Sequence, residues 1–299
     1  MSTAIETTGL CYSASKDFAI RDLSLRVPAG ALYGFLGPNG CGKTTTIRLL
    51  LGLLRPSVGS IRLLGHAVPG DLPPALARIG VVPDRPHLHR YLSVGEAIAF
   101  HSAFYPAWDS KWAAELLGEF RLPRSQRISG LSKGEAAKLT LLLALCQTPD
   151  LLVLDEPMDG LDPVVRRDVL SALLDYVSRR GATVFVSSHL VHELERFCDW
   201  IGVMDRGRMV VELPMAEFRN GNKRIRFTAI QPVEAAGAPF TLLSQDQEPG
   251  SGQTWVVRGW RPEMSAWFER PGLAVREVAD LDLEDGFVEL LRAFRAREG

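Results

Sequence analysis

A glycine-rich segment from Gly37 to Thr44 carries the clearest chemical signal in the sequence, and it reads Gly-Pro-Asn-Gly-Cys-Gly-Lys-Thr. It matches the phosphate-binding pattern G-x-x-x-x-G-K-[ST], and it follows an apolar strand pattern and precedes a helical one, as that pattern requires. The glycines allow successive backbone N–H groups to turn towards phosphate oxygens, and a helix that begins near Lys43 adds the positive end of its dipole. We expect Lys43 to reach the β and γ phosphates and the Thr44 hydroxyl to bind Mg²⁺.

A dinucleotide-binding loop is the main alternative for a glycine-rich turn of this kind. Its pattern G-x-G-x-x-G, read from Gly40, requires glycine at the position that Thr45 occupies. From residue frequencies alone, the phosphate-binding match is expected in about one chain in a hundred of this length. The sequence therefore favours a bound triphosphate.

Two acidic residues, Asp155 and Glu156, follow the apolar segment Leu151 to Leu154, which has the composition of a buried strand. Open α/β sheets bind their ligands at the carboxyl ends of the strands, so both acids should face the nucleotide. Asp155 is suited to hold Mg²⁺ directly or through water, and Glu156 is suited to polarise the attacking water. An acidic pair after a strand is by itself more often a solvated loop or a helix cap, but the phosphate-binding segment favours the catalytic interpretation.

A second apolar segment, Thr183 to Ser188, ends at His189. This histidine should lie in the same layer of strand ends, where its imidazole can sense or hold the γ-phosphate and the attacking water. His87 and His89 are instead typical of a surface loop, because no acids or cysteines accompany them at metal-ligand spacing.

The elements that position these residues alternate between strands and helices. Strands whose hydrophobicity is nearly uniform are typical of a parallel sheet that helices cover on both faces. The predicted strands are Ala19 to Val27, Ala31 to Leu36, Gly59 to Leu64, Ile79 to Val82, Leu151 to Leu154 and Thr183 to Val186. The predicted helices are Ile47 to Leu54, Val94 to Phe104, Trp112 to Phe120, Glu135 to Gln147 and Pro163 to Arg179.

Two changes in pattern predict how the chain is divided. Residues from about Asp84 to Leu131 carry helical spacing with few strand signals, which indicates an inserted helical subdomain. After about Met215 the chain turns to short alternating strands and a final amphipathic helix, with three tryptophans that we expect to be core residues. We therefore predict a first domain over residues 1–215 and a small α+β domain over residues 216–299.

Composition excludes several classes of protein. The chain has 299 residues, 46% of them apolar, which is enough to build a core. A formal net charge of -1, without a run of Lys or Arg, argues against a nucleic-acid partner. The cysteines, Cys11, Cys41, Cys146 and Cys198, have neither zinc-site spacing nor the density of a secreted disulfide scaffold, so a reducing cytosol fits best.

Membrane and export signals are weak in the sequence. The first 17 residues lack the basic start and apolar core of a signal peptide. The most apolar stretch, Leu139 to Cys146, is much shorter than the roughly 20 residues that span a bilayer. If this protein acts at a membrane, we expect another chain to cross it.

The segment Leu131 to Glu135, reading Leu-Ser-Lys-Gly-Glu, resembles the signature of the ABC ATPases, usually written L-S-G-G-Q, and stands as in that family shortly before the two acids. Ser132 and Glu135 also fit a helix capping box, and the two interpretations are compatible because a capped helix start is itself an anion site. Gly160 to Pro163 looks like the family's D-loop, and Tyr12 is placed like the aromatic residue that stacks on adenine.

The resemblance covers roughly Ile5 to Val211 and implies an α/β fold of the P-loop NTPase class. That fold has a RecA-like parallel sheet, antiparallel strands at the N-terminus and an inserted helical subdomain. The resemblance also implies an ATPase that binds ATP with Mg²⁺ and powers transport through a separate integral membrane permease subunit, and the expected direction of transport is export. The protein would be cytoplasmic and peripheral on the cytoplasmic face of the cell membrane.

The resemblance further implies that two nucleotide-binding subunits, identical or paralogous, pair head to tail. Each ATP would then lie between one subunit's phosphate-binding loop and the signature segment of the other. The expected nucleotide contacts are Tyr12, Gly37, Asn39, Gly40, Cys41, Gly42, Lys43, Thr44, Thr45, Ser132, Gly134 and Asp162. The expected metal ligands are Thr44, Asp84 and Asp155, and the expected catalytic residues are Glu156 and His189.

Three positions depart from the family pattern. Asp84 stands where many members have the Q-loop glutamine, and its carboxylate can still bind Mg²⁺ or the waters around it. Lys133 and Glu135 replace a glycine and a glutamine in the signature, while Ser132 and Gly134 remain. These features look most similar to ATPases of ABC-2-type exporters, including the antibiotic-responsive bacterial group.

Two other functions remain open at this point. A soluble ABC ATPase without transport is one, although such proteins usually carry a second P-loop or a long coiled-coil insertion that this sequence lacks. A P-loop GTPase or small-molecule kinase is the other, and Asn222 to Ile225 lacks the aspartate of the guanine-reading motif.

Overall fold

The computed structural model describes residues 2–13, 18–231, 233–248 and 252–298. Contacts divide the chain into two compact units: Met1–His189 with Gly202–Met209, and Leu190–Ile201 with Val210–Gly299. The second unit thus includes residues 190–201 and 210–215, which the sequence analysis assigned to the first domain. Within the described ranges, no helix has the length and apolar character needed to cross a membrane.

The structure contains strands and helices in the alternation that the sequence predicts. The strands are β1 (Thr3–Ser13), β2 (Ala19–Pro28), β3 (Leu32–Leu36), β4 (Val58–Leu63), β5 (His66–Val68), β6 (Ile79–Val82), β7 (Leu151–Asp155), β8 (Thr183–Ser188), β9 (Trp200–Asp205), β10 (Arg208–Pro214), β11 (Lys223–Ala229), β12 (Thr241–Glu248), β13 (Gly252–Arg258) and β14 (Leu273–Asp280). The helices are α1 (Lys43–Leu50), α2 (Leu72–Leu76), α3 (Val94–Ser102), α4 (Ser110–Glu119), α5 (Lys133–Leu145), α6 (Pro163–Arg180), α7 (Val191–Leu194), α8 (Met215–Gly221) and α9 (Leu283–Glu298).

The central sheet has six strands in the order β10-β9-β3-β8-β7-β6. Strands β3, β8, β7 and β6 run parallel, and every residue of β7 and β8 is buried. Uniform burial explains why these strands read as continuous apolar runs rather than alternating ones. Leu36 pairs with Ser188 and Asp155 with Ser187, so the carboxyl ends of β3, β7 and β8 meet at one edge. The predicted parallel sheet is confirmed.

The N-terminal strands form a separate antiparallel sheet of four strands, in the order β2-β1-β4-β5. The register of β1 against β2 pairs Tyr12 with Ile20 near the end of this hairpin. Alternating burial in β2 matches the alternating sequence pattern, because one face of the strand packs inward and the other faces solvent.

Residues 84–131, all of which the structure describes, contain α3, α4, a short 3₁₀ helix and no strand. Helix α3 begins with a capping box between Ser93 and Glu96, and Asp109 caps α4 by accepting a hydrogen bond from Trp112 N at 2.9 Å. The Trp112 ring stacks on Tyr176 of α6 with 5.2 Å between ring centroids, which anchors α4 to the core of the first unit.

The second unit contains an antiparallel sheet in the order β12-β13-β11-β14. Its core is aromatic: Phe227, Trp255 and Phe268 pack together with ring centroids 5.1 to 6.1 Å apart. Trp255, Trp260 and Trp267 are all buried, as the sequence analysis predicts for this region.

Candidate active site

The glycine-rich loop connects β3 to α1, and two of its glycines have backbone conformations that residues with a side chain rarely adopt. Gly40 and Gly42 have φ angles of +78° and +121°, in the left-handed region. A Cβ atom on Gly42 would lie only 2.7 Å from Ile20 Cδ1 and 2.8 Å from Met204 Cε. Helix α1 begins at Lys43 with no side-chain cap and no acid in its first turn. Its first N–H groups therefore offer hydrogen bonds to an anion.

The Lys43 side chain connects this loop to the acidic end of β7. It is 6% exposed, and its Nζ donates to the carbonyl oxygen of Gly37 at 2.6 Å and to that of Pro38 at 3.3 Å. Nζ also lies 3.1 Å from Oε1 of Glu156. A buried ammonium is stable only when it is paired and hydrogen-bonded, and these contacts provide that environment.

Asp155 and Glu156 are linked through Ser187 on the neighbouring strand β8. The Ser187 hydroxyl donates to Asp155 Oδ1 at 2.7 Å and accepts from the backbone N–H of Glu156 at 3.0 Å. Burial raises the pKa of the Asp155 carboxyl, the charges of Asp84 and Glu156 raise it further, and hydrogen bonds from Ser187 and Thr44 oppose the shift. Asp155 is thus a buried acid that lies beside Thr44 and is suited to a cation.

The Glu156 carboxylate lies between the lysine and the histidine. Oε2 is 3.0 Å from His189 Nδ1, and an ionised carboxylate only accepts hydrogen bonds, so this contact places a proton on Nδ1. Oε1 is buried and accepts no hydrogen bond of good geometry from any described residue, although Lys43 Nζ lies close to it. Glu156 also has a φ of +47°, a strained conformation for a residue with a side chain, and such strain concentrates at functional sites.

These side chains open into one cavity of about 400 Å³ at the carboxyl ends of the parallel strands. The cavity brings together Thr44 and Asp84, two of the three predicted metal ligands, with most of the predicted loop contacts and both predicted catalytic residues, whereas Asp155 is not in its lining. It is lined by Phe18, Asn39, Gly40, Gly42, Lys43, Thr44, Thr45, Asp84, Glu156, Asp159 and His189. Its combination of a glycine-lined anion cradle, one buried cation and several carboxylates suits a triphosphate accompanied by a metal ion.

Comparison with known proteins agrees with this geometry. The family described as ABC transporter matches residues 20–159, a range that includes the glycine-rich loop and both acids. Over 300 aligned residues the chain is 32% identical to the bacitracin transport ATP-binding protein BcrA of Bacillus licheniformis, and the alignment covers 97% of this chain and 98% of that protein. The chain belongs to the ABC transporter ATP-binding proteins.

Two further relatives support the family. The Nod factor export ATP-binding protein I of Rhizobium johnstonii is 36% identical over 266 residues, covering 82% of this chain and 85% of that one. A solved structure described as the ATP-binding subunit of an ABC transporter superposes with a TM-score of 0.65 at 27% identity, covering 73% of this chain and 92% of the other. The chain is accordingly an ATP-binding ATPase subunit of an ABC transporter, as the sequence predicts.

Phe18 is a cavity residue of this ABC ATPase that sequence reasoning missed. It lines the cavity, and a Cβ atom on Gly42 would lie 3.3 Å from its ring carbon Cζ. Tyr12, the predicted adenine contact, is partly buried in β1 and does not line the cavity. The local pattern around Phe18 gives no signal, because its place beside Gly42 depends on contacts between residues that are distant in the sequence.

The predicted nucleotide contacts outside the loop have structural roles within the chain. The Ser132 hydroxyl accepts from Glu135 N at 3.2 Å, while Glu135 Oε2 accepts from Ser132 N at 2.8 Å, which completes a capping box on α5. These hydrogen bonds lower the pKa of the Glu135 carboxyl. A Cβ atom on Gly134 would lie 2.9 Å from Val165, and Asp162 caps α6. None of Ser132, Gly134 and Asp162 lines the cavity, so their contacts with nucleotide stay predictions.

Asp84 and Cys41 differ in how they meet the cavity. Asp84 lines it with a carboxylate that is about half exposed, so it can approach a metal ion or its waters from the solvent side. Cys41 is buried within the loop, and burial raises the pKa of its thiol. Cys41 therefore supports the loop by packing, and its role as a nucleotide contact stays a prediction.

Replacing Phe18 tests which aromatic residue contacts the base. Stacking between a base and an aromatic ring contributes about 1–3 kcal/mol, so we expect Phe18→Leu to weaken ATP binding about tenfold. Phe18→Tyr keeps the ring and should retain affinity, and calorimetric titration with ATP measures both. An unchanged Kd in Phe18→Leu, together with a tenfold loss in Tyr12→Leu, would return the base-stacking role to Tyr12.

Asp155 gives a prediction for stability and pH. Its raised pKa favours the protonated form in the folded state, so the stability that it contributes is present at low pH and is lost as pH rises through that pKa. Asp155→Asn should therefore raise the thermal unfolding midpoint of the nucleotide-free protein at neutral pH. It should also reduce the further rise that Mg²⁺ with ATP produces, because a metal ligand is lost.

Asp159→Asn is the matched control for this experiment, since Asp159 is a nearby acid that lines the cavity and is about half exposed. Scanning calorimetry of both variants, with and without Mg²⁺ and ATP, measures the two effects. A lower midpoint for nucleotide-free Asp155→Asn, with the response to Mg²⁺ and ATP intact, would contradict the assignment.

Proposed function

We propose that this ABC transporter ATP-binding protein hydrolyses ATP at the cavity of Lys43, Glu156 and His189 and thereby powers export of a substrate through a separate membrane-spanning subunit. The observation that carries the proposal is the continuous contact from the phosphate-binding loop through Lys43 to Glu156 and His189. Export is supported by the likeness to the bacitracin transport and Nod factor export proteins.

Mg²⁺ fits the donor set at this site. The Thr44 hydroxyl and the Asp155 carboxylate are hydrogen-bonded to each other, and both are oxygen ligands of the kind that Mg²⁺ prefers. Asp84 supplies a further carboxylate at the rim of the cavity. The ion would neutralise charge on the β and γ phosphates.

Lys43 couples ATP binding to the release of the catalytic carboxylate. Its Nζ donates to the Gly37 carbonyl oxygen and lies 3.1 Å from Oε1 of Glu156. Phosphate oxygens are stronger acceptors for this ammonium than a neutral carbonyl, so bound ATP draws Nζ towards the β and γ phosphates. Glu156 then loses its pairing with Lys43 and becomes available to a water molecule.

Glu156 acts as the general base in the proposed reaction. Its carboxylate takes a proton from the attacking water as the water oxygen bonds to the γ phosphorus. The bond from that phosphorus to the bridging oxygen breaks, and ADP leaves with the bonding electrons. His189 holds Oε2 of Glu156 and so orients the carboxylate while the proton is transferred.

A second nucleotide-binding subunit completes the proposed site. Ser132, Gly134 and Asp162 do not line the cavity of their own chain, so contacts between them and ATP require another subunit. The start of α5 at Ser132 presents backbone N–H groups that suit a γ-phosphate held by a facing loop. In this arrangement the protein is peripheral on the cytoplasmic face of the membrane and bound to an integral membrane permease.

The variant Glu156→Gln tests the catalytic assignment. Removing a general base typically slows a reaction by about 10²–10⁴-fold, so we expect turnover of the assembled transporter to fall by at least about a hundredfold. ATP affinity should persist, because the amide retains the shape of the side chain. Size-exclusion chromatography with ATP should show a dimer that accumulates because hydrolysis no longer reopens it.

Glu119→Gln, which changes an exposed acid of α4, is the control and should leave turnover and oligomeric state unchanged. Normal turnover of Glu156→Gln in the assembled transporter would reject Glu156 as the catalytic carboxylate. A variant that loses turnover but elutes as a monomer with ATP would reject the head-to-tail dimer.

A further inference from the structure

The second unit contains a cavity of about 460 Å³ with a distinct chemistry. Side chains of β10, including Val211 and Leu213, form an apolar wall. The last residue of β13, Arg258, and the turn that follows it, with Trp260 and Arg261, supply the other side. A volume of this size is typical of small-molecule sites, which also combine apolar walls with a few polar groups.

Close backbone packing builds the floor of this cavity. Trp260 N donates to the carbonyl oxygen of Gly221 at 3.0 Å, which joins the turn to the end of α8. A Cβ atom on Gly221 would lie 3.4 Å from Gly259 N, so the two backbones approach closely where glycine stands. Gly259 has a φ of +76°, which reverses the chain between Arg258 and Trp260.

The Trp260 ring anchors this turn to the aromatic core of the second unit. Trp260 is 8% exposed, and its ring packs on Phe240 and Phe268 with centroids 5.6 and 6.1 Å apart. Because the ring belongs to the aromatic core, it anchors the flanking arginines rather than offering a stacking surface. The two guanidinium groups are therefore carried on a segment with a fixed backbone.

Arg258 is a partly buried cation that has no counter-ion among the residues that the structure describes. Its side chain makes no ion pair or hydrogen bond with any residue in the described ranges. Burial and the nearby positive charge of Arg297 lower the pKa of its guanidinium, which nevertheless stays charged at neutral pH. Withdrawing a charge from water without pairing it is unfavourable, so an external anion would stabilise this arrangement.

Other arginines of this unit show how differently Arg258 is placed. Four of them form ion pairs with carboxylates at distances of 2.7 to 3.5 Å: Arg219, Arg224, Arg226 and Arg292. Arg261, at the rim of the cavity, likewise has no side-chain partner among the residues that the structure describes. Two arginines that have no side-chain partner among the described residues thus line one cavity.

Glu217 is the carboxylate in the lining, and it pairs with neither arginine within the described part of the chain. Its negative charge opposes an anion, but the two arginines and the nearby Arg297 outweigh it. A guanidinium has donors arranged to match phosphate oxygens, and two of them balance the charge of about -1.5 to -2 on a phosphate monoester.

We propose that the cavity formed by Arg258, Arg261, Val211 and Leu213 binds a phosphate group attached to an apolar or uncharged body. The guanidiniums bind the phosphate, and the aliphatic wall contacts the attached group. Such a ligand is either a lipid with a phosphate-monoester headgroup or a soluble organic phosphate, since both present the same phosphate monoester. This site lies within the second unit and does not depend on the proposed catalytic roles.

The test uses ¹⁹F NMR of the full chain labelled with 5-fluorotryptophan. The resonance of Trp260 is assigned as the one that is missing from the spectrum of the Trp260→Phe variant. Inorganic phosphate should shift this resonance saturably, and acetate at equal ionic strength should leave it unchanged. Dihexanoyl phosphatidic acid, whose headgroup is a phosphate monoester, is the lipid probe and is kept below its micelle concentration. Tighter binding of this probe than of inorganic phosphate indicates a headgroup ligand, and the reverse indicates a soluble phosphate.

Two charge variants change the affinity in opposite directions. Loss of one charged hydrogen-bonding partner should weaken binding about tenfold in Arg258→Gln, while Glu217→Gln should bind more tightly than the wild type. Arg292→Gln, which alters an exposed arginine already paired with Glu289, should leave the affinity unchanged. If Arg258→Gln does not fold, the tightening in Glu217→Gln still tests the site.

Three results would overturn the proposal. The first is a Trp260 resonance that responds to neither phosphate probe, and the second is one that responds equally to acetate. The third is a phosphate response of the same affinity in the wild type, Arg258→Gln and Glu217→Gln. ATP turnover is not used as a readout, so failure here is distinguishable from failure of the catalytic assignment.

Discussion

The candidate active site depends on a buried ammonium, that of Lys43. Its Nζ holds the carbonyl oxygen of Gly37 on one side and lies beside the Glu156 carboxylate on the other. An unpaired charge at 6% exposure would be strongly destabilising, so the loop and the end of β7 are arranged around it. A phosphate that attracts this ammonium would alter its pairing with Glu156, which would link nucleotide binding to the proposed catalytic carboxylate.

Negative charge at the strand ends creates the complementary constraint. Burial raises the pKa of Asp155, and Asp84 and Glu156 lie close enough for their negative charges to raise it further. A divalent cation relieves this repulsion and compensates for the loss of water around Asp155. Glu156 has a strained backbone, and Asp155 accepts a hydrogen bond from the Ser187 hydroxyl. The two neighbouring acids therefore have different environments. One carboxylate is thereby suited to a metal ion and the other to proton transfer.

Much of this could be predicted from the sequence, because the signals are local. The glycine spacing before Lys43, the apolar runs of β7 and β8, and the acids that end β7 each lie within a few residues. Parallel pairing then places His189 near Glu156, since β7 and β8 are neighbours in register. The fold class followed from the same alternation of strands and helices.

Features that depend on distant contacts could not be predicted in this way. Ser187 read only as the end of an apolar strand, and its bridge between the two acids requires the register of β8 against β7. Phe18 lines the cavity just before β2, and no local pattern specifies this position. The assignment of residues 190–201 to the second unit likewise rests on contacts with residues far along the chain. The sequence also cannot show that Arg258 has no acidic partner among the described residues, because this depends on which side chains the fold places around it.

Calorimetric titration of ATP into Lys43→Ala tests the central claim most directly, with Lys111→Ala, a change at an exposed lysine in α4, as the control. If the buried ammonium holds the phosphates, its removal should weaken ATP binding by at least about tenfold, the effect of losing one charged hydrogen bond. The control should bind as the wild type does. Full ATP affinity in a folded Lys43→Ala variant would contradict the account.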